Sequence, residues 1–411
     1  MKQLFRLIQL TVLTIWLFII SIVGASADQE IKRLVVFGDS LSDDGGNNST
    51  WFLLKTLNGL TGESGIKHMQ PWMRGWLAER ITNYNWFCEN TSINCPKHEI
   101  RALKALIAVT EKSGAIPIAP RDHYYQGRWS NGPTWPEYFA GMIGLSTSDK
   151  TVYRNESHAG GWSLCLGDKA MGIQDLTGDI KTVVKNMVNG SLIPPCLELL
   201  VKAYLYRHEK FSENDLVVVF FGGNDYLNRF QAPERVIEAQ KVIIETAIEN
   251  GAKHIAWASM PDLSKTPRYY RDAFKPQTEE ISRLVQEHNR LLEEEWELLQ
   301  IDYSEGGVTI ALVDTKEIFS DILSNHHLYG LSVTDRPCST IPAPGLEDPV
   351  PNNVHEIVLP RETAVVTTGE VCQNPDEYMF FDSVHPTTAA HKLIATKACE
   401  IMRREGYRCS S

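Results

Sequence analysis

The sequence has no excess of basic charge: 40 Lys and Arg stand against 51 Asp and Glu, a net charge of −11 over 411 residues. A nucleic-acid reader neutralises phosphates with a basic face, so this balance excludes nucleic acid as a partner. Neither a CxxC pair nor an HExxH helix occurs, which removes the common zinc arrangements, and no metal or cofactor is expected. The pattern G-x-S-x-G is missing too, and with it the main mark of an α/β-hydrolase nucleophile elbow. There is no internal repeat, no low-complexity tract, and beyond Val23 no apolar run long enough to span a bilayer. What is present suits a packed core: 43 % hydrophobic and 22 % charged residues, too apolar for disorder.

At the N-terminus Lys2 and Arg6 precede an apolar run from Leu7 to Val23, interrupted only by Gln9, Thr11, Thr14 and Ser21. Ala25-Ser26-Ala27 follows with the small-residue pattern of a signal-peptidase site. Residues 1–27 are expected to be a signal peptide, the alternative being an uncleaved membrane anchor. Cleavage after Ala27 would take away Lys2 and Arg6, moving the chain from 411 to 384 residues and the charge from −11 to −13. Export makes the eight cysteines candidate disulfide partners. In chain order they form four pairs whose loops never overlap: Cys88–Cys95, Cys165–Cys196, Cys338–Cys372 and Cys399–Cys409. That pattern is the expectation, although sequence does not choose among the many pairings eight cysteines allow. Sequons at Asn47, Asn48, Asn90, Asn155 and Asn189 matter only in a glycosylating host.

Strand and helix signals alternate, which predicts an α/β fold around a mostly parallel sheet. Leu34–Phe37, Leu216–Phe221, His254–Ser259 and Val308–Val313 are short apolar runs of the kind buried on both faces. Helical spacing relates Val236, Ile237, Val242, Ile243, Ala247 and Ile248, with Asn250-Gly251 as a stop. It also relates Ile281, Leu284, Val285, His288, Leu291, Leu292 and Trp296, and a last helix is predicted from Pro386 to Arg404. Residues 45–133, with one modest helical patch at 101–110, and residues 325–380 break this rhythm. They are read as long insertions in a single domain covering 28–411.

Three strand-to-loop junctions carry chemistry. The first strand runs into Gly38-Asp39-Ser40-Leu41-Ser42-Asp43, where a turn can expose the Ser40 hydroxyl and aim its N–H at an oxyanion. The plainer use of such a serine is to cap a helix. Phe220-Phe221-Gly222-Gly223-Asn224-Asp225 puts the Asn224 amide at the same sheet edge. An oxyanion donor of that kind is typically worth about 10²–10³ in rate. Asp225 reads as a brace or turn cap. In Phe381-Asp382-Ser383-Val384-His385-Pro386 an acid three residues before a histidine lets one tight loop supply a general base and its orienter.

Together these stretches resemble the GDSL lipase/esterase family of the SGNH hydrolase superfamily. The resemblance rests on Phe37-Gly38-Asp39-Ser40-Leu41-Ser42-Asp43, Gly222-Gly223-Asn224-Asp225 and Asp382-x-x-His385-Pro386-Thr387. Gly127–Trp135, Met260–Pro267 and Asn374–Tyr378 add likeness to a larger bacterial lipolytic branch, so the match runs from about residue 33 to residue 405. It implies a three-layer α/β/α, flavodoxin-like fold with large loop insertions. It further implies Ser40 as nucleophile, His385 as base and Asp382 as its partner. The oxyanion hole would take the Ser40 amide, the Asn224 side chain and an amide of Gly160 or Gly161. The second block departs from the family's usual form: it reads Asn155-Glu156-Ser157-His158-Ala159-Gly160-Gly161-Trp162, with Trp162 where a small residue is common. His158 lies close to it but is not assigned a catalytic role, and Phe381 replaces the family's Trp before the catalytic Asp.

The branch implies a secreted bacterial enzyme, extracellular or periplasmic, acting as phospholipase A, lysophospholipase A or glycerophospholipid:cholesterol acyltransferase. The implied partners are a phospholipid or lysophospholipid, a membrane surface as substrate and a sterol acyl acceptor. Trp51, Phe52, Leu53, Leu54, Leu57 and Leu60 follow the nucleophile and are read either as an acyl-chain face or as helix core. A Cys338–Cys372 bridge would tie off a Pro-rich, acidic loop before the catalytic pair, either a lid opened by an activating protease or a plain staple. The other readings are a carbohydrate acetyl esterase on the same scaffold and a non-catalytic binding module.

Overall fold

The computed structural model describes residues 29–45, 124–164, 196–229, 231–272, 274–340 and 369–410. The expected signal peptide, the 101–110 patch and the apolar run at 51–60 lie outside the described residues. Among the described residues five strands form one sheet: β1 (Arg33–Gly38), β2 (Tyr153–Asn155), β3 (Asp215–Phe220), β4 (His254–Ala258) and β5 (Thr309–Val313). Their order is β2-β1-β3-β4-β5 and every neighbouring pair is parallel. The helices among the described residues are α1 (Trp135–Met142), α2 (Leu197–His208), α3 (Gly223–Arg229), α4 (Pro233–Glu249), α5 (Thr278–Tyr303), α6 (Thr315–Ser324) and α7 (Thr388–Arg404).

Strand periodicity explains the layers. Successive side chains point to opposite faces, so Leu34 and Val36 of β1 pack with α1, α6 and α7, through Phe139, Phe319 and Ile394. Val35 and Phe37 face the other way and pack with α2, α4 and α5, through Val201, Ile244 and Leu292. A sheet buried on both faces demands unbroken apolar strands, which is why β1 and β3 read as continuous runs. The fold is the expected α/β/α sandwich. Arg33 ties the start of β1 to β3 through two 2.9 Å hydrogen bonds onto the Asp215 carboxylate.

The structure differs from the sequence expectation at three places. β2 was not predicted: three residues at a sheet edge, pairing only with β1, are too few to show a period. The last helix starts at Thr388 rather than Pro386, because the Thr387 hydroxyl caps it by accepting from the Ala390 N–H. Pro386 instead pairs with Phe380 in an isolated antiparallel bridge. In α4, Val242 is 45 % exposed, off the stripe formed by Val236, Ile243 and Ala247.

Cys338 is bonded to Cys372 and Cys399 to Cys409, as expected. Cys196 is also disulfide-bonded, while Cys88, Cys95 and Cys165 lie outside the described residues. Among the described residues no helix is long and apolar enough to cross a membrane.

Candidate active site

β1 and β3 end side by side, with Gly38 opposite Phe220. The chain leaving β1 therefore turns next to the chain leaving β3, at the switch point where parallel sheets bind ligands. After β1 the Ser42 and Asp43 N–H groups both donate to the Asp39 carbonyl at 3.0 Å, and the Leu41 N–H donates to Asp39 Oδ1. Only glycine fits before this turn, since a Cβ on Gly38 would lie 2.6 Å from the Ser42 Cβ. Ser40 sits at the crest, partly exposed.

His385 reaches it from the far end of the chain. The loop carrying His385 is closed by the Phe381 N–H donating to the His385 carbonyl at 2.8 Å. Inside it Asp382 Oδ1 accepts the N–H groups of Val384 and His385, at 2.8 and 2.7 Å. Asp382 Oδ2 lies 2.7 Å from His385 Nδ1 and accepts the Tyr124 hydroxyl at 2.6 Å. His385 Nε2 lies 2.7 Å from Ser40 Oγ. Burial pushes the Asp382 carboxyl up, yet the electrostatic pull of the adjacent His385 and these donors together outweigh burial and hold it below its ordinary value. An ionised carboxylate can only accept, so Nδ1 carries the proton and Nε2 offers its lone pair to the Ser40 hydroxyl. Ser40, His385 and Asp382 thus form one continuous hydrogen-bonded chain.

The second block lies against the same junction. β2 is prolonged by the Glu156 N–H bonding to the Val36 carbonyl and the His158 N–H to the Gly38 carbonyl, at 2.8 and 2.9 Å. A Cβ on Gly161 would lie 2.9 Å from the His158 carbonyl and from the Phe221 ring, so the backbone passes there only as glycine. The Gly161 N–H donates to the His158 carbonyl at 2.9 Å, and the Gly161 carbonyl accepts from Asn224 Nδ2 at 2.9 Å. The second and third blocks are therefore bonded to each other beside Ser40. The Asn155 side chain donates to the Ser42 carbonyl at 2.7 Å, fixing block two to block one. His158 is outside the Ser40–His385–Asp382 chain; its Nδ1 faces the Ala159 carbonyl at 3.2 Å and desolvation lowers it to about 4.

Two carboxylates brace this junction, and sequence reasoning gave neither its partners. Asp43 accepts the N–H groups of Gly45 and Ala159, at 2.8 and 3.0 Å. Asp225 accepts those of Ser163 and Leu164, at 2.9 and 3.1 Å. Desolvation outweighs these bonds and raises Asp39 to about 6, Asp225 to about 7 and Asp43 to about 8. Folded values above the ordinary 3.8 mean that the folded protein keeps protons the unfolded chain releases. The stability these acids contribute is full below about pH 4 and is lost as pH rises through the folded values. Urea unfolding is expected to show lower stability at pH 8 than at pH 5. Asp43→Asn, which mimics the protonated acid, is expected to shrink that difference, and an unchanged difference would sink the account.

Sequence reasoning also missed Tyr124, whose partner Asp382 lies 258 positions away, and the contact of Trp129 with His385. Trp129 lies within the Gly127–Trp135 stretch, but nothing local marks what its ring touches.

This architecture is that of an acyl ester hydrolase. The chain matches GDSL-like Lipase/Acylhydrolase over residues 34–398, and it belongs to that family of ester hydrolases and acyltransferases. It is similar to a phosphatidylcholine-sterol acyltransferase of Aeromonas hydrophila, 25 % identical over 316 residues covering 71 % of this chain and 84 % of the relative. It is also similar to the thermolabile hemolysin of Vibrio parahaemolyticus, 26 % identical over 278 residues, 67 % of this chain and 56 % of that protein. A GDSL esterase/lipase of Arabidopsis thaliana is 24 % identical over 305 residues, 67 % of this chain and 76 % of the relative.

Proposed function

We propose that this protein is a secreted lipolytic enzyme that moves acyl groups from phospholipids or lysophospholipids through an ester of Ser40, with water or a sterol hydroxyl as acceptor. The observation that carries this reading is the unbroken Asp382–His385–Ser40 hydrogen-bonded chain. Ser40 Oγ attacks the ester carbonyl while His385 Nε2 takes its proton, a step in which such a base is worth about 10²–10⁴. The oxyanion is met by the Ser40 N–H, the Asn224 amide and the Gly160 N–H. Gly160 is preferred to Gly161 because the Gly161 N–H is engaged by His158. Collapse expels the alkoxide of the lysophospholipid or of the glycerophosphodiester, which takes the proton from His385. Water or a sterol hydroxyl then gives its proton to His385 and attacks the acyl-serine, releasing fatty acid or sterol ester and restoring Ser40.

The likeness to a phosphatidylcholine-sterol acyltransferase supports a lipid acyl donor and a sterol acceptor. Residues 28–411 would form one exported catalytic domain, since Ser40 near one end and His385 near the other are needed together. An activating protease cutting between Cys338 and Cys372 belongs to the same reading, because the disulfide would keep the cut ends joined. With a net charge of −13 after loss of residues 1–27, engagement of a membrane surface would rest on apolar contacts rather than charge.

The test is incubation of oxidised protein with phospholipid plus cholesterol, following free fatty acid and cholesterol ester together. Release of both is expected. Fatty acid alone would reduce the reading to a phospholipase, and neither product alongside deacetylation of an acetylated polysaccharide would replace it with a carbohydrate esterase.

A further inference from the structure

Asp382 Oδ2 does two things at once: it faces His385 Nδ1 at 2.7 Å and accepts the Tyr124 hydroxyl at 2.6 Å. Tyr124 is 3 % exposed, and its ring lies 5.3 Å from the Phe381 ring and 5.3 Å from the Trp129 ring. Phe381 is the residue before Asp382, and Trp129 lies over the His385 imidazole at 5.1 Å with a 33° tilt. The tyrosine is therefore wedged between a neighbour of the acid and a neighbour of the base. The chain that follows it is anchored at two points. Ser130 Oγ donates to the Pro386 carbonyl at 2.9 Å, and the Arg128 guanidinium grips Glu137 of α1 with bonds of 2.8 and 2.6 Å. A hydroxyl on a ring held this way loses little further freedom in making its bond, so it acts as a fixed stop for the carboxylate.

We propose that Tyr124 is a positioning residue for acyl transfer: its hydroxyl fixes the Asp382 carboxylate so that the His385 imidazole stays aimed at Ser40. A second consequence follows from sharing one oxygen. The hydroxyl draws electron density from Oδ2, so it moderates how strongly Asp382 stabilises the imidazolium formed when Ser40 gives up its proton. Without the hydroxyl the carboxylate turns more freely, so the imidazole loses its aim at Ser40 and turnover slows, while the carboxylate's tighter hold on the imidazolium shows separately as a base harder to deprotonate. The inference rests on the reading of Ser40, His385 and Asp382 given above.

Tyr124→Phe removes the hydroxyl and keeps the ring. Rates on a short-chain chromogenic ester are counted per site titrated with an organophosphonate that labels Ser40, so any misfolded fraction drops out. The expected kcat is about 10- to 100-fold lower with KM nearly unchanged, the worth of a hydrogen bond to a charged group. The acid limb of the pH–rate profile is expected to move to higher pH. Asp39 and His391 both feel the His385 charge; both are unaltered in this variant, so the difference between the two profiles belongs to Tyr124. In an Asp382→Asn background the same substitution is expected to change kcat by less than about twofold, because the carboxylate it served is gone. A wild-type rate and profile for Tyr124→Phe, or the same fold loss in both backgrounds, would overturn the inference. Full activity of Ser40→Ala would instead overturn the underlying reading of the site.

Discussion

Ser40→Ala is expected to lose about 10⁶ of kcat on a phospholipid ester while its urea unfolding curve stays where it was. The rate falls because the group that forms the acyl ester is gone, leaving only what the oxyanion donors and binding supply to attack by water. The fold stays because the turn is held by the Asp39 carbonyl and carboxylate, to which the N–H groups of Ser42, Asp43 and Leu41 donate. No part of that turn depends on the Ser40 hydroxyl. His385→Ala is expected to cost a comparable factor, and the double variant little more, since groups that act as a unit do not add. Fatty-acid release in single turnover measures all three. Residual activity of Ser40→Ala within tenfold of the parent would end the acyl-serine account.

Asp382→Asn is expected to cost about 10⁴ of kcat, with the loop largely intact. The asparagine carbonyl can still accept from Val384 and His385, whose N–H groups Asp382 Oδ1 holds at 2.8 and 2.7 Å. On the other side the amide puts N–H groups in front of His385 Nδ1, which must then become the acceptor. The proton moves to Nε2, and a protonated Nε2 has no lone pair for Ser40. The same substitution carries a pH signature opposite in sign to that of Asp43. Asp382 is held below its ordinary value when folded, so its stabilisation is present above the unfolded value of 3.8 and is lost as pH falls through the folded value. Asp382→Asn is expected to flatten the acid side of the stability curve, whereas Asp43→Asn flattens the side toward pH 8. Circular dichroism with urea across both ranges checks the pair, and equal slopes in parent and variant on the acid side would contradict the ionised Asp382.

The parts of the site that were legible share a local cause. Leu34–Phe37 and Leu216–Phe221 are apolar because they are buried on both faces, and the glycines that end them announce turns where Ser40 and Asn224 emerge. Asp382 and His385 sit three residues apart in one loop, so their pairing needs no distant partner. β2 was hidden because three half-polar residues at a sheet edge carry no period. Tyr124 was hidden because the carboxylate its hydroxyl meets lies 258 positions later in the chain. Asp43 and Asp225 were visible as motif letters, but which N–H groups they hold depends on how the second block passes the sheet edge.

By itself, then, the sequence determined the alternation of buried strands and amphipathic helices, the residue types at each turn, and the family to which those turns belong. These follow from side-chain periodicity and from the few residues a given backbone turn accepts. Tertiary structure alone decided the strand order β2-β1-β3-β4-β5, which sets the Ser40 turn beside Asn224. It decided that His385 meets Ser40 across 345 positions of chain. It also decided the direction of each acid's titration, down for Asp382 and up for Asp43. The physical reason is that desolvation and hydrogen-bond count belong to a place in the packed molecule and not to a residue type.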